Sequence, residues 1–331
     1  MNKSDYKNMW VYIEHDGEHV SPVSFELCCQ VRKLCDTTGD ELVAVIIEPF
    51  SDDMLDKIAE CGVDRIIRVH GSGYEEYNCD AWSNLFTVLC SRYNPSAVFV
   101  GGTANGRDFA PRFAARLNTG CTSDAVELAY DPTTGDIEFI EPAVGGKMMA
   151  VITVPVLRPQ VGTIRPGTFK YEPRGRQPSV GYIDEHIDFD TGKIRTKLLD
   201  FVPVSAGEGN IAEADVIVCV GNGLRSPDKL AKYAELAALL GGELACTRPI
   251  LDRGIMGFRR MIGQSGTAVK PKLYIGFGVS GAINHVTGFS GCGMSVAVNS
   301  DPDAPIFSHC DYGIVGDMDE VCNAMIAALK Q

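Results

Sequence analysis

Three clusters of small and polar residues near the C-terminus carry groups that can hold a ligand: Ser280-Gly281, Asn299-Ser300-Asp301 and Gly316-Asp317. Each follows a short apolar run, Leu273–Phe277, Met294–Val298 or Tyr312–Val315. Such runs read as buried parallel strands. Ligands of an open parallel sheet sit at the carboxyl ends of its strands. The three clusters then fall along one edge and outline a nucleotide site. Ser280-Gly281 carries the most chemistry, because Ala282-Ile283-Asn284-His285 can open a helix behind it. A helix start offers free N–H groups and a positive dipole end to a pyrophosphate. Gly281 lets a ligand approach the backbone. The same residues also suit an ordinary strand-to-helix turn with a capping serine.

The chain that must position these groups has 331 residues, enough for two domains with cores of their own. Its formal charge of −13 argues against a general nucleic-acid binder, which needs a basic face. The 12 cysteines include no Cys-x-x-Cys pair, so structural zinc and ferredoxin-type clusters are not expected. Dispersed thiols in apolar segments fit a reducing compartment. The start, Met1-Asn2-Lys3-Ser4-Asp5, has no apolar core, and no apolar run approaches membrane-spanning length. A cytoplasmic chain without membrane insertion is expected.

Strand and helix patterns alternate through the first hundred or so residues. Strands are predicted at Met9–Ile13, Leu42–Glu48, Arg65–Val69 and Ala97–Val100, with helices from Pro22 to about Asp36, Asp52–Cys61, Asp80–Tyr93 and Arg107–Leu117. The Gly101–Gly106 loop follows a strand and precedes a helix, but lacks the Lys-Ser/Thr ending of a Walker A loop, and a structural role is favoured. Extended segments at Asp136–Ile140 and Met149–Val154, with turns at Asp131-Pro132 and Gly145-Gly146, are expected to extend or edge the same sheet. The stretch from Arg165 to Pro178 reads as an exposed crossover or interface loop. Strand-like segments follow near Val180–Phe189 and Leu198–Val204.

A second domain restarts with a strand at Val216–Val220 and the turn Gly221-Asn222-Gly223-Leu224-Arg225. The expected domains are 1–207 and 208–331. Both are α/β with mostly parallel sheets, and the second is doubly wound and binds a nucleotide. Gly221-x-Gly223 invites an NAD reading, but Ser226 takes the third glycine position and no acidic residue ends the next strand, Glu243–Ala245. Cys246–Asp252 and Arg260–Thr267 are further loops placed where ligand-binding turns of the same sheet belong.

The ordered set of Gly-x-Gly-Leu, Thr247-Arg248-Pro249, Ile262-Gly263-Gln264-Ser265-Gly266, Val279-Ser280-Gly281-Ala282-Ile283-Asn284-His285, Val298-Asn299-Ser300-Asp301-Pro302 and Asp311-Tyr312-Gly313-Ile314-Val315-Gly316-Asp317 closely resembles the α subunit of electron-transfer flavoproteins. The resemblance extends to Trp10-Val11-Tyr12-Ile13-Glu14 and Arg107-Asp108-Phe109-Ala110-Pro111-Arg112, and so covers essentially the whole chain. It implies a heterodimer with a β subunit and an FAD held mainly by the second domain. It also implies an electron shuttle between acyl-CoA dehydrogenase-type flavoenzymes and another redox partner, with no bond-making on an organic substrate.

By the same resemblance, Arg248, after Thr247, lies beside the isoalloxazine, where its charge favours the anionic reduced flavin. Ser265 offers its hydroxyl near N5, in a loop shaped by Ile262, Gly263, Gln264 and Gly266. His285 sits near the C2 carbonyl. Ser280, Gly281, Ala282, Ile283 and Asn284 contact the diphosphate and ribityl region, and Asn299, Asp317 and Met318 the adenosine half. Asn222 stands in the first glycine turn where many members carry Arg, with Arg225 nearby. Ser265 replaces the common Thr, and Asn284 the common Gln.

A subset of the family bifurcates electrons. It carries a second FAD in the β subunit, oxidises NADH, and reduces ferredoxin together with an acyl-CoA dehydrogenase. The segment Met148–Thr153, with Arg158-Pro159-Gln160 and Arg165-Pro166-Gly167, resembles that subset. In this family the second domain swivels, which makes Ala206–Asn210 the expected hinge. Two other classes compete: an adenine-nucleotide-binding universal-stress-type module without flavin, and an NAD(P)-dependent dehydrogenase. His15, His19, His70 and His186 have no ligand spacing and read as structural or exposed.

Overall fold

A computed structural model of the protein describes residues 2–143, 148–174, 179–196, 199 and 210–330. The chain packs as two compact units, Met1–Phe201 and Val202–Gln331, both α/β. The boundary expected at 207/208, the hinge at 206–210 and the strand at 198–204 fall, Leu199 and Asn210 apart, outside the described residues, as does the turn at 145–146. Among the described residues no helix is long and apolar enough to cross a membrane.

In the first unit, β1 (Met9–Ile13), α1 (Pro22–Thr38), β2 (Leu42–Ile47), α2 (Asp52–Ala59), β3 (Arg65–His70), α3 (Cys79–Tyr93), β4 (Ala97–Gly101) and α4 (Ala104–Arg116) alternate as expected. Next come β5 (Cys121–Ala125), β6 (Glu127–Asp131), β7 (Asp136–Ala143), β8 (Met148–Ile152), β9 (Gln160–Ile164) and β10 (Gly181–His186). A seven-stranded parallel sheet has the order β10-β3-β2-β1-β4-β9-β5. Side chains alternate across it, as a strand period of two requires. Met9, Val11 and Ile13 enter one core, and Trp10 and Tyr12 enter the other.

One expectation needs correction. The segments predicted to extend the first sheet form a separate antiparallel sheet, β6-β7-β8. A tight turn ending at Gly135, with φ of 73°, joins β6 to β7, and so short a link demands antiparallel pairing. The strand beside β4 is instead β9, whose Gly162 makes room for the Phe139 ring of β7: an added Cβ would lie 2.1 Å from that ring. The described part of the Arg165–Pro178 segment lies against α1, through Phe25–Tyr171 ring contact at 5.3 Å and ion pairs Lys33–Glu172 and Arg174–Asp36.

The second unit contains β11 (Val216–Val220), α5 (Leu230–Leu239), β12 (Glu243–Cys246), α6 (Arg248–Asp252), β13 (Leu273–Phe277), α7 (Ile283–Val286), β14 (Met294–Asn299), β15 (Tyr312–Val315) and α8 (Met318–Leu329). Its sheet is parallel throughout, in the order β12-β11-β13-β14-β15. Val218 and Val220 face the core shared with Leu236 of α5 and Cys322 of α8. Ile217 and Cys219 face a second core with Ile262, Tyr274 and Phe289. The sheet is thus doubly wound. Strand order reverses between β11 and β13, which is where an open parallel sheet takes its ligands.

Candidate functional site

The ends of β11 and β13 approach each other through glycines. An added Cβ at Gly221 would lie 2.3 Å from the Gly278 carbonyl, and one at Gly223 would lie 2.8 Å from Gly278 Cα. The Gly223 N–H donates to the Gly278 carbonyl at 3.0 Å. Gly278 itself has φ of +61°. Both positions need the absence of a side chain, and the result is a floor made of backbone. The Met318 sulfur lies against this floor.

Above it opens a cleft of about 460 Å³, lined among others by Asn222, Arg225, Ser280, Asn299, Asp317 and Met318. That volume is within the ~300–1,000 Å³ of small-molecule sites. The side chains set its walls. Asn299 donates from Nδ2 to the Val279 carbonyl at 2.9 Å and accepts the Asp301 N–H at 3.0 Å, tying the ends of β13 and β14 together. Asp317 caps α8 through one carboxylate oxygen, which accepts the N–H groups of Asp319 and Glu320. Lys229 and Lys232 pair with Asp319, which also accepts from the Tyr233 hydroxyl, and these cations hold its carboxyl well below the usual range. Among the described residues, Arg225 is the cation lining the cleft that has no ion-pair partner.

A second group of predicted residues gathers around the end of β12. The Ile262 N–H donates to the Cys246 carbonyl at 2.9 Å, which brings the 262–266 loop beside Thr247 and Arg248. The Gln264 N–H donates to the Asn284 carbonyl at 2.6 Å, joining that loop to the turn after β13. Gln264, Ser265, Arg248 and Asn284 are exposed. Arg248 bonds Asp252 through Nε at 2.6 Å, which leaves its other guanidinium N–H groups outward. The Thr247 hydroxyl is buried with no hydrogen-bond partner. His285 is buried, its Nδ1–H donating to the Ile262 carbonyl at 2.9 Å and its Nε2 accepting from the Tyr274 hydroxyl at 2.8 Å. Burial pulls its pKa down to about 4, only partly opposed by the Ile262 carbonyl, so the ring is neutral at pH 7.

Comparison with known proteins gives this arrangement its name. The electron transfer flavoprotein domain model matches residues 9–185, and the electron transfer flavoprotein FAD-binding domain model matches residues 210–290. The electron transfer flavoprotein subunit alpha of Thermoanaerobacterium thermosaccharolyticum is 37% identical over 328 residues, covering 99% of each chain. The chain belongs to the electron transfer flavoprotein family. Protein FixB of Clostridium saccharobutylicum is 36% identical, over 100% of this chain and 98% of that protein. Subunit LctC of the lactate dehydrogenase (NAD(+),ferredoxin) of Acetobacterium woodii is 33% identical, over 100% of this chain and 78% of that protein.

The protein is thus an electron transfer flavoprotein α subunit with FAD as cofactor. In this family the α subunit forms a heterodimer with a β subunit. The flavin-free adenine-nucleotide module is not favoured. The residues present fit FAD: the glycine floor admits a ligand against backbone, the cleft offers amide, hydroxyl, carboxylate and guanidinium groups, and Thr247 has an unsatisfied hydroxyl.

Of the predicted residues, the α subunit brings Asn222, Ser280, Asn299, Asp317 and Met318 into the cleft. Thr247, Arg248, Ile262, Gly263, Gln264, Gly266, Asn284 and His285 belong to the hydrogen-bonded loops beside β12, where Gly266 N–H donates to the Gly263 carbonyl. Gly281 is pinned against Ile306 and cannot carry a side chain: its φ is +91° and a Cβ would lie 2.3 Å from the Ile306 nitrogen. Ala282 and Ile283 stand exposed at the start of α7. Sequence reasoning missed Gly278 and Lys229 as lining residues, while Asp301, in the cluster read after β14, does line the cleft. The signal for Gly278 was available, since it follows β13 directly.

Proposed function

We propose that the α subunit lays FAD along the carboxyl edge of the second sheet, with its adenosine and diphosphate parts in the β11/β13 cleft and its isoalloxazine toward the loops beside β12. The observation that carries this reading is the convergence of Asn222, Ser280, Asn299, Asp317 and Met318 on one cleft at the strand-order reversal. When bound, FAD supplies reversible electron transfer. The chain's own residues orient it and set its electrostatics. Arg248 offers fixed positive charge, which favours an anionic ring. Ser265 offers an exposed hydroxyl to a ring nitrogen. Gly281 to Asn284 offer backbone groups to the diphosphate, and Asn299 and Asp317 offer acceptors to ribose hydroxyls.

The β subunit covers the outward apolar face of β8 in this reading. Met149 and Val151, two residues apart and so on one face of the strand, are 50% and 57% exposed, and apolar area of this kind is what protein partners bury. We further infer that the heterodimer works as an NADH-dependent bifurcating carrier. It would pass electrons to an acyl-CoA dehydrogenase-type flavoenzyme and to ferredoxin. Two observations support this: the Met148–Thr153 and Arg158–Gln160 segments, and likeness to a subunit whose name pairs NAD+ with ferredoxin.

The test is to co-purify the chain with its β subunit, count extracted flavin, and supply NADH, ferredoxin and the dehydrogenase. Two FAD per heterodimer, with ferredoxin reduced only when the acyl-CoA acceptor is present, is the expected result. One FAD after adding FAD back, or ferredoxin reduction independent of the acceptor, contradicts bifurcation. No flavin after reconstitution contradicts the site itself.

A further inference from the structure

Beneath the loops beside β12 lies a buried polar chain of which the sequence reading named only His285, and both ring nitrogens of His285 are engaged within it. Tyr274, on β13, is fully buried and stacks face to face on Phe289, ring centroids 4.0 Å apart and planes within 1°. Its hydroxyl meets His285 Nε2 at 2.8 Å, and the opposite ring nitrogen meets the Ile262 carbonyl at 2.9 Å. A carbonyl only accepts, so Nδ1 carries the proton and Nε2 accepts from the phenol. The remaining neighbour of Nε2 is the Cys219 sulfur at 3.9 Å, a weak partner. The Phe289 stack fixes the phenol, the phenol fixes the imidazole, and the imidazole holds Ile262.

Ile262 is where this chain of contacts reaches the ligand edge. The next three residues, Gly263-Gln264-Ser265, form the loop, with Gln264 and Ser265 exposed, anchored at one end by the Ile262 carbonyl on His285 and in the middle by the Gln264 N–H on the Asn284 carbonyl. Gly263 has φ of +153°, and a Cβ there would lie 2.8 Å from the Asn284 carbonyl, so the loop is held close against the turn after β13. No other side chain bonds the Ile262 carbonyl among the described residues. Without the phenol, Nε2 is left buried and nearly unpaired, which costs free energy. Ring reorientation or protonation would relieve that cost, and reorientation releases Ile262.

We propose that Tyr274 is a positioning residue for the cofactor: its hydroxyl locks the His285 ring so that Nδ1–H holds the Ile262 carbonyl and sets the Gly263–Ser265 loop. This rests on the reading that the loop faces the isoalloxazine. The groups around the ring are those of an uncharged pocket. Cys219 faces it from β11, Tyr274 from β13, and Phe289 from beyond α7, while the Cys292 and Cys310 thiols face Tyr274. The low pKa of His285 agrees with such surroundings.

The experiment uses the FAD-loaded heterodimer with 15N-labelled histidine. Wild type should show His285 as the neutral Nδ1–H tautomer from pH 5 to 8. Tyr274→Phe should move the His285 Nε2 resonance, shift the flavin midpoint potential and perturb its visible spectrum. Phe289→Leu keeps the hydroxyl, and should lower Tm with the His285 tautomer retained. A wild-type His285 in the Nε2–H form, or titrating near pH 6.5, overturns the proposal. So does Tyr274→Phe that lowers Tm with His285 resonances and flavin potential unchanged. If the His285 resonances move and the flavin properties do not, the link from ring to cofactor is wrong. Absence of FAD from the wild-type α subunit would instead defeat the underlying site reading.

Discussion

The two parallel sheets share one topological feature and use it in opposite ways. Strand order reverses between β1 and β4 in the first unit and between β11 and β13 in the second. In the first, the crevice is closed by the chain itself. Glu14, the residue after β1, accepts from the Thr103 hydroxyl at 2.7 Å and the Asn105 amide at 3.2 Å, while its N–H donates to Ser24 at 3.0 Å. Thr103 also caps α4 by accepting the Gly106 N–H at 3.0 Å. In the second, glycines leave the floor bare and Arg225 has no ion-pair partner among the described residues. A reversal point makes a crevice; the residues that follow the strands decide whether it holds a ligand or a hydrogen-bonded plug.

The largest contrast should come from glycines. Gly281→Val combines positive φ with a backbone clash, and should cost about 3 kcal/mol at the cofactor edge, roughly a hundredfold in FAD affinity. Gly106→Val, whose Cβ would lie 1.9 Å from the Gly101 carbonyl, should cost the fold a comparable amount and leave FAD affinity of the folded protein unchanged. Fluorescence titration of FAD alongside urea unfolding separates the two. Loss of FAD affinity in the first-unit variant, with stability intact, would break the comparison.

Protonation should also separate them. His285 is held neutral, so below the unfolded value near 6.5 the unfolded chain binds the extra proton. Stability associated with His285 should fall as pH drops from 6.5 to about 4, by on the order of 3 kcal/mol. Glu14 has the opposite sign. Burial raises its pKa, the folded state holds the proton more tightly, and its contribution grows as pH falls through the raised value. Unfolding of His285→Gln and Glu14→Gln against pH should remove a loss in one case and a gain in the other.

Two smaller effects sharpen the picture. Arg225→Gln should weaken FAD binding about tenfold, near 1.4 kcal/mol, with Tm unchanged because no ion pair is lost. An unchanged dissociation constant would remove Arg225 from the site. Thr103→Ala should cost about 1 kcal/mol of stability through the lost cap and leave FAD binding alone, as measured by calorimetry.

Much of this was readable from residues. β13, β14 and β15 appear as apolar runs closed by small polar residues, because their turns must be permissive; β13 is buried on both faces, whereas β15, expected to be buried, is an edge strand exposed at all four residues. β9 was not read: Gln160-Val161-Gly162-Thr163-Ile164 lacks an apolar run, and its burial depends on Phe139 filling the space over Gly162. β7 and β8 were read as strands, but β6 was not, and neither was a separate sheet, since pairing partners are tertiary information. The cleft residues were found by their place after strands. The Tyr274–His285–Ile262 chain was not, because it joins side chains distant in sequence within a core.

The central claim is that FAD occupies the β11/β13 edge and not the β1/β4 crevice. Hydrogen–deuterium exchange of the heterodimer, stripped of flavin and then loaded with FAD, tests it directly. Protection of peptides covering 222–225, 263–266 and 278–285, with 101–106 unchanged, is the result this account predicts. Protection at 101–106 without change in the second unit would contradict it.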